Sequence, residues 1–394
     1  MSSGLDVAGA VALLDSWYDP DAAEDWDAVG LVCGDPQAPV RKVLFAVDPV
    51  QRVVDEAVEW GADLLVVHHP LLLRPVHGVA ATGPKGRVVH ALVRSGVALL
   101  VAHTNADAPS GGVSEAMAHA FGLKDLQPLQ PASAPRLDKV VTFVPSASAD
   151  LLVDALASAG AGRLGDYERC AFTSTGTGTF RPLSGAQPSV GSVGRIEEVD
   201  ETRVEMVLDR RRRQAVIAAL RKAHPYEEPA FDLLEMAVLP GVAGSGRIGN
   251  LAKAVPLAEF AGAVAEALPV SSGVVRVAGD PERLIRRVAL CGGAGDFLLD
   301  TVRKSNPDVY VTSDLRHHPA SEFLEHAHAD RSGPALIDVP HSVAEALWLP
   351  LVEHRLQAAA LELGTTVETQ VSTVVTDPWT SHLDLRSMDR RSLR

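Results

Sequence analysis

The sequence predicts an α/β fold, with two similar α/β/α halves and a smaller α+β domain inserted between them. Three observations support this prediction: apolar runs of strand length alternate with helix-like segments, the same pattern returns near the C-terminus, and the middle follows another order. Continuous apolar strands separated by helices are typical of a largely parallel sheet covered on both faces. The length of 394 residues also exceeds what one hydrophobic core usually organises, so we expect several domains.

The first half contains three apolar runs that we interpret as buried strands. They are Val43–Val47, Leu64–Val67 and Ala98–Ala102. The segments between them, Val50–Trp60 and Gly86–Ser95, are interpreted as helices. Because strands that alternate with helices are joined by crossover connections, we expect these strands to be parallel.

The second half repeats the first at a constant offset of 245 positions. Arg287–Cys291 aligns with Lys42–Ala46 (42 to 287), and Asp308–Thr312 aligns with Asp63–Val67 (63 to 308). A third strand, Ala335–Val339, follows after a shorter connection. We therefore expect two halves of one architecture.

The middle of the chain is predicted to form a separate domain. Its order is strand–helix–strands–helix–strand, in the segments Val140–Val144, Ala149–Ala159, short strands through Leu208, Arg211–Ala223 and Ala230–Ala237. This order is that of a ferredoxin-like domain. Residues 130–145, rich in Pro, Ala and Ser, and Pro240–Gly249, with four glycines, are interpreted as junctions. The predicted domains are 1–132, 133–243 and 244–380, followed by a polar, basic tail at 381–394 that we expect to be disordered.

Composition excludes several classes of protein. Thirty-six basic and fifty acidic residues give a net charge of −14, which argues against a general binder of nucleic acid or anionic membranes. Three cysteines without a CxxC pair exclude a disulfide framework and a thiolate zinc site. No apolar run approaches the roughly 18 residues that span a bilayer, and the first residues lack signal-peptide features, so we expect a cytoplasmic protein.

Imidazole and carboxylate side chains follow the ends of three predicted strands. They are, in chain order, His68, His69, His103, Asp107, His341 and Glu345. Because the carboxyl ends of strands in an open α/β sheet form the usual ligand crevice, we expect these side chains to converge. Imidazole and carboxylate ligands together suit a divalent transition-metal ion.

Local geometry leaves two arrangements open. If a helix follows Pro340, His341 and Glu345 at positions i and i+4 share one of its faces. His68 and His69 diverge in an extended strand, so they either serve two ions side by side or lie in an irregular strand end. Any single histidine here is more often a packed or capping residue. The set of three strand ends is what favours a metal site.

Several motifs carry a resemblance to a known family. They are His68–Leu71, His103–Asp107, Thr312–His318, His341–Glu345, the opening Asp25–Asp35 and the later Thr376–Trp379. In residue types and order they resemble the NIF-three-like dinuclear metal centre proteins, also described as GTP cyclohydrolase 1 type 2 homologs. Gly176–Phe180 and His224–Pro229 are similar to the PII-like insert of the long forms. The resemblance spans residues 5 to 380.

The resemblance implies a NIF-three-like fold with two divalent metal ions per subunit, Zn, Fe or Mn. The implied ligands, with Glu345 bridging the ions and one histidine of the adjacent pair on each ion, are His68, His69, Asp107, His341 and Glu345. It also implies a homohexamer whose sites face an internal cavity. Two motifs depart from the family: Thr312-Ser313-Asp314 replaces Thr-Gly-Asp, and Pro340-His341-Ser342 replaces Gly-His-aromatic. These changes affect pocket shape more than metal binding.

The predicted function is metal-dependent hydrolysis of a small-molecule substrate, with a metal-activated water as nucleophile. Asp314 and His318 are the predicted catalytic residues, as proton shuttles. His103 and His317 are predicted either to orient ligands or to act as acid or base, with the open alternative that Arg316–His318 only begins a helix. The alternative is a non-enzymatic metal-binding regulatory or scaffold protein whose PII-like insert senses a ligand or a partner.

Overall fold

The computed structural model describes residues 4–133, 136–165, 167–237, 240–330 and 333–383. These divide into two compact units, one formed by the segments Met1–Ala132 and Val242–Arg394 and the other by Ser133–Gly241. The tail predicted to be disordered, 381–394, lies outside the described residues from 384 onward. Within the described ranges, we find no helix that is both long and apolar enough to cross a membrane.

The first part of the chain alternates strands and helices as expected. Its elements are α1 (Val7–Trp17), β1 (Gly30–Cys33), β2 (Lys42–Ala46), α2 (Gln51–Trp60), β3 (Leu64–Val67), α3 (Pro84–Ser95), β4 (Ala98–Val101), α4 (Thr104–Asp107), α5 (Val113–Ala120) and β5 (Lys124–Ser133). The three predicted strands and two predicted helices are thus confirmed to within two residues. Gly61 and Gly96 end α2 and α3 in the left-handed conformation, which costs glycine nothing.

The remaining elements fall in the second unit and then in the second half of the first unit. The second unit contains β6 (Leu137–Pro145), α6 (Ala149–Ser158), β7 (Phe172–Phe180), β8 (Glu197–Asp209), α7 (Arg213–Ala223) and β9 (Phe231–Glu235). The chain then continues with β10 (Pro240–Pro256), α8 (Leu257–Ala267), β11 (Arg276–Ala278), β12 (Leu284–Ala294), α9 (Leu299–Ser305), β13 (Val309–Ser313), α10 (His317–Asp330), β14 (Ala335–Asp338), α11 (His341–Glu345), α12 (Leu349–Glu362) and β15 (Glu368–Val371).

The first unit holds two sheets with the same central arrangement. The five-stranded sheet has the order β1-β4-β3-β2-β15, and the six-stranded sheet has the order β11-β14-β13-β12-β10-β5. The strands β2, β3 and β4 are parallel, as are β12, β13 and β14, and one antiparallel edge strand flanks each set. Asp63 accepts hydrogen bonds from the backbone of residues 41 and 42, and Asp308 does the same for residues 286 and 287. The 245-residue offset thus recurs in local hydrogen bonding.

Both faces of the parallel strands are buried, which explains their uninterrupted apolar sequence. Phe45 and Val66 point into one large cluster that also contains Leu290 and Val311 of the other sheet. Their neighbours in the sequence, such as Leu65, face the opposite side and pack under α2 and α3. A strand buried on both faces has no position where a polar residue would be solvated.

The second unit is a four-stranded antiparallel sheet in the order β7-β8-β6-β9. Its element order is the one predicted for a ferredoxin-like domain. Val140, Val204 and Met206 pack with Leu156 and Val216 of the two helices, so the helices cover one face of the sheet.

One glycine-rich segment of the chain lies in a strand. Pro240–Gly249, predicted as a junction from its four glycines, forms the first part of strand β10. The glycines allow close packing there: a Cβ on Gly244 would lie 2.3 Å from the carbonyl oxygen of Gln130, and one on Gly249 would lie 2.7 Å from that of Lys124. A glycine in a strand can indicate close backbone approach as well as a turn.

Candidate metal centre

The residues that follow β3, β4 and β14 include the five predicted ligands, and four of these lie around the fifth, the buried carboxylate of Glu345. Glu345 is 2% exposed, and its Oε1 lies 2.9 Å from Nε2 of His341 and 3.5 Å from Nε2 of His68. Its Oε2 lies 2.9 Å from Nε2 of His69. Asp107 completes the set, with Oδ1 3.6 Å from Nε2 of His68.

Local sequence explains how the second half supplies its two side chains. Pro340 precedes α11 with φ −60°, a value that its ring fixes, and its carbonyl accepts the hydrogen bond of Ala344. His341 and Glu345 therefore lie one turn apart on the same helical face. The predicted i, i+4 geometry is present.

The adjacent histidines reach the cluster because each ring is anchored to a different neighbouring strand. Nδ1 of His68 donates to the carbonyl of Ala102, which follows β4, at 2.8 Å. Nδ1 of His69 donates to Asp48, which follows β2, at 2.7 Å. Since β3 lies between β4 and β2, the rings diverge sideways and each presents its Nε2 to Glu345.

The charged groups of the cluster shift one another's pKa values. Burial opposes ionisation of Glu345, but the charges on His68 and His69 hold the pKa of that carboxyl well below its usual range. Burial lowers the pKa of His69, yet Glu345 and Asp48 outweigh this and raise it to about 10. The pKa of His341 rises to about 9, because the hydrogen bond and charge of Glu345 outweigh burial. A buried carboxylate surrounded by imidazoles thus requires positive charge, which protons or a metal ion can supply.

An independent observation indicates that these donor atoms fit a divalent metal ion. Within the described residues, three buried atoms at the centre make no hydrogen bond of acceptable geometry: Nε2 of His68, Oδ1 of Asp107 and Oε2 of Glu345, the last although Nε2 of His69 lies 2.9 Å away. Buried polar atoms in native proteins are normally satisfied. Two overlapping groups have donor atoms within 4.8 Å of one another, His68 with His69 and His103, and His69 with His341 and Glu345. Imidazole and carboxylate donors at this spacing suit a transition-metal ion.

Gly293, at the end of β12, leaves the room that the cluster needs. Its φ is +65°, and a Cβ there would lie 2.9 Å from Oε1 of Glu345 and 3.5 Å from Nε2 of His341. Any larger residue would therefore intrude on the donor atoms as well as strain the backbone.

The two predicted catalytic residues differ in their placement. Asp314 accepts a hydrogen bond from Nδ1 of His341 at 2.7 Å, so it orients a predicted ligand. His318 is exposed near the start of α10, and its ring packs edge-on against His317. Among the contacts of the described residues, none joins His318 to the cluster.

Sequence reasoning missed two carboxylates that hold histidine rings. Asp48 pairs with His69, and its second oxygen accepts a hydrogen bond from Thr376 at 2.5 Å. It lies two residues after the end of β2, so the strand-end argument used for the histidines could have found it. Asp27 pairs with His103 at 2.8 Å, but it lies in an irregular segment before β1, where no periodic pattern marks it.

A cleft of about 680 Å³ opens beside the cluster. Its lining includes His69 and His341, their partners Asp48 and Asp314, and the exposed ring of Trp379. The cleft therefore gives a small molecule access to the His69 and His341 side of the cluster.

The chain matches the family model Duf34/NIF3 (NGG1p interacting factor 3) over residues 5–378. It is 48% identical over 374 residues to a Mycobacterium tuberculosis protein named GTP cyclohydrolase 1 type 2 homolog, covering 95% of this chain and 96% of that protein. A Bacillus subtilis protein of the same name is 34% identical over 380 residues, 96% of this chain and 100% of the relative. A solved Bacillus cereus protein related to NIF3 has a TM-score of 0.76 at 34% identity, covering 96% of this chain and 99% of that one.

Proposed function

The chain belongs to the Duf34/NIF3 family, and we propose that it binds two divalent metal ions per subunit and uses them to hydrolyse a small molecule. The observation that supports this most is that three buried donor atoms, on His68, Asp107 and Glu345, make no hydrogen bond. His69 and His341 would complete the ligands, with Glu345 shared because its two oxygens face different imidazoles.

Bound divalent ions would lower the pKa of a water molecule toward neutrality and polarise an oxygen of the substrate. The protein residues have separate tasks. Asp48 and Asp314 hold the rings of His69 and His341 so that Nε2 faces Glu345. The cleft admits the substrate on that side, and Trp379 offers an exposed aromatic surface on which a planar group can stack. Asp314, at the cleft wall, is the candidate to move a proton; nothing in the contacts of His318 supports the same role.

A second function is favoured by a different observation in the Ser133–Gly241 unit. A cavity of about 610 Å³ there is lined by Phe143, Phe180 and Tyr226, and by Glu201, which accepts the hydroxyl of Tyr226 at 2.8 Å. This volume lies in the range of small-molecule sites. A PII-like insert that senses a ligand would make the protein a metal-binding regulator or scaffold.

The name of the relatives, GTP cyclohydrolase 1 type 2 homolog, makes GTP the first substrate to test. We would measure turnover of GTP and of a generic phosphodiester with Mn²⁺, Zn²⁺ or Fe²⁺, in wild type and in Glu345→Gln. We expect metal-dependent turnover that Glu345→Gln abolishes. Glu362→Gln, an exposed carboxylate on α12, is the matched control and should retain activity. If two ions bind and neither substrate is turned over, the regulatory function is favoured. If no metal binds, both functions fail.

A further inference from the structure

His103 has the same setting as the predicted metal ligands. It follows β4, and its ring centroid lies 5.1 Å from that of His68 and 5.6 Å from that of His69. Its donor atom lies within 4.8 Å of theirs. The residue therefore stands inside the cluster although the resemblance gives it no ligand role.

The orientation of His103 is fixed as firmly as that of the ligands. Nδ1 of His103 donates to Asp27 at 2.8 Å, just as Nδ1 of His69 and of His341 donate to Asp48 and Asp314. The Asp27 side chain is fully buried and also accepts from the backbone of Ala28 and from both the backbone and the hydroxyl of Thr104. A carboxylate that holds Nδ1 leaves Nε2 as the nitrogen available to a metal ion.

The two proposed metal positions differ in their number of protein donors. His69, His341 and Glu345 form one group of three, and the cleft is lined by two of them. In the other, Nε2 of His68 lies 3.6 Å from Oδ1 of Asp107 and 3.5 Å from Oε1 of the shared Glu345. His103 belongs to a group of donors with His68 and His69, and because its ring lies nearer to that of His68, we count it as a fourth donor at the His68 position. His68, Asp107 and His103 are absent from the described lining of the cleft. Four protein donors close a metal site, whereas three leave a position for water or substrate.

We propose that His103, oriented by Asp27, is a metal-site residue that closes the His68–Asp107 position, while the His69–His341 position stays open to the cleft. This proposal rests on the proposed binding of two ions. It assigns one ion to a tightly held position and the other to the position that meets the substrate.

The test measures metal release and not activity. The full-length protein is loaded with Co²⁺, its metal content is determined, and release to a chelator is followed by the visible absorption of Co²⁺, which depends on the number and type of ligands. We expect two ions per wild-type chain, released in a slow and a fast phase. His103→Ala and His103→Gln should accelerate only the slow phase, by about 10–100-fold, and alter its spectrum. Asp27→Asn should act in the same direction but less strongly, because the imidazole remains.

The matched control is His119→Ala, an exposed histidine on α5, which should leave both phases unchanged. A folded His103→Gln chain with the wild-type slow phase and spectrum would overturn the proposal, as would release of both wild-type ions in one phase. Both of these results leave the proposed function intact. A wild-type chain that holds fewer than two ions overturns the proposed function and this proposal together.

Discussion

Trp348 donates a hydrogen bond from its indole Nε1 to the hydroxyl of Tyr18, 3.0 Å away, although 330 positions separate them. The Tyr18 hydroxyl in turn donates to the carbonyl of Gly111 at 3.0 Å, and the Trp348 ring lies 5.6 Å from that of His68. Trp348 and Tyr18 are both buried. The wall behind the candidate metal centre is thus formed by residues from both ends of the chain.

Removal of the Tyr18 hydroxyl should destabilise the protein. Tyr18→Phe leaves the buried Nε1 of Trp348 without an acceptor, so we expect a loss of about 1–3 kcal/mol in the free energy of unfolding. Chemical denaturation followed by tryptophan fluorescence measures it. Tyr167→Phe, at a position that is 75% exposed, should unfold like wild type. Equal stability of the Tyr18 and Tyr167 variants would contradict the assigned hydrogen bond.

Gly293→Ala should impair metal binding. Gly364→Ala is the control that separates crowding of the donor atoms from backbone strain. Gly293 and Gly364 have φ of +65° and +74°, so alanine costs about 1–2 kcal/mol of backbone strain at either position. Only at Gly293 does the added methyl meet donor atoms, since nothing lies within 4 Å of a Cβ on Gly364. We expect both variants to lose stability and only Gly293→Ala to lose metal in equilibrium dialysis. Equal metal content in the two variants would exclude crowding of the site.

Asp314→Asn tests whether this carboxylate positions His341. The substitution keeps an oxygen but removes the charge that pairs with Nδ1, so metal affinity should fall by about 10–100-fold. The measurement is a competition titration with a metal-sensitive dye. Asp300→Asn, an exposed residue on α9 paired with Arg303, is the control. A variant with normal metal affinity and no turnover would instead support the predicted role of Asp314 in proton transfer.

The second unit should show a stability that depends on pH through Asp138. This buried carboxylate accepts hydrogen bonds from Nε of Arg213 at 2.7 Å and of Arg210 at 3.1 Å, and these bonds, that of Arg213 foremost, lower its pKa. The pKa of Asp138 is therefore lower in the folded chain than in the unfolded chain. Its ionised carboxylate stabilises the fold fully at pH values above the unfolded-state pKa, and this stabilisation is lost as the pH falls through the folded-state pKa. Asp138→Asn should therefore cost about 1–3 kcal/mol at pH 7.

Below about pH 4 the difference between wild type and Asp138→Asn should shrink, because the Asp138 carboxyl of the unfolded wild-type chain becomes protonated there, and the stabilisation is fully lost only below the lower pKa of the folded chain. Calorimetric unfolding of the full chain at pH 7 and pH 3 measures this. Asp232→Asn, an exposed carboxylate on β9, should show neither effect. A difference that persists unchanged at pH 3 would contradict the electrostatic origin.

The mass in solution tests the assembly that the family resemblance implies. A homohexamer of this 41.6 kDa chain should sediment at about six times that mass. Analytical ultracentrifugation with and without added Zn²⁺ would also report any dependence on metal. Sedimentation as a single chain under both conditions would remove the prediction.

The fold was largely predictable because its strands are buried on both faces. Leu64–Val67 and Ala98–Val101 have no solvated side, so their sequences are continuously apolar and their limits are visible. The strand at Pro240–Gly249 was not predicted, because its glycines pack against the backbones of β5 and β12 and nothing local distinguishes close approach from a turn.

The sequence by itself determined that imidazole and carboxylate side chains follow the ends of the parallel strands. Because those strand ends share one edge of the sheet, it also indicated that these side chains converge. Only the tertiary structure decided which nitrogen each histidine presents and where the cleft opens. His103 is held by Asp27, which is 76 positions away in the sequence, and His69 is held by Asp48, which is 21 positions away. Thr376, which donates to Asp48, is 328 positions from it. Such contacts are set by how crossovers and chain ends pack, and residue order along the chain does not encode them locally.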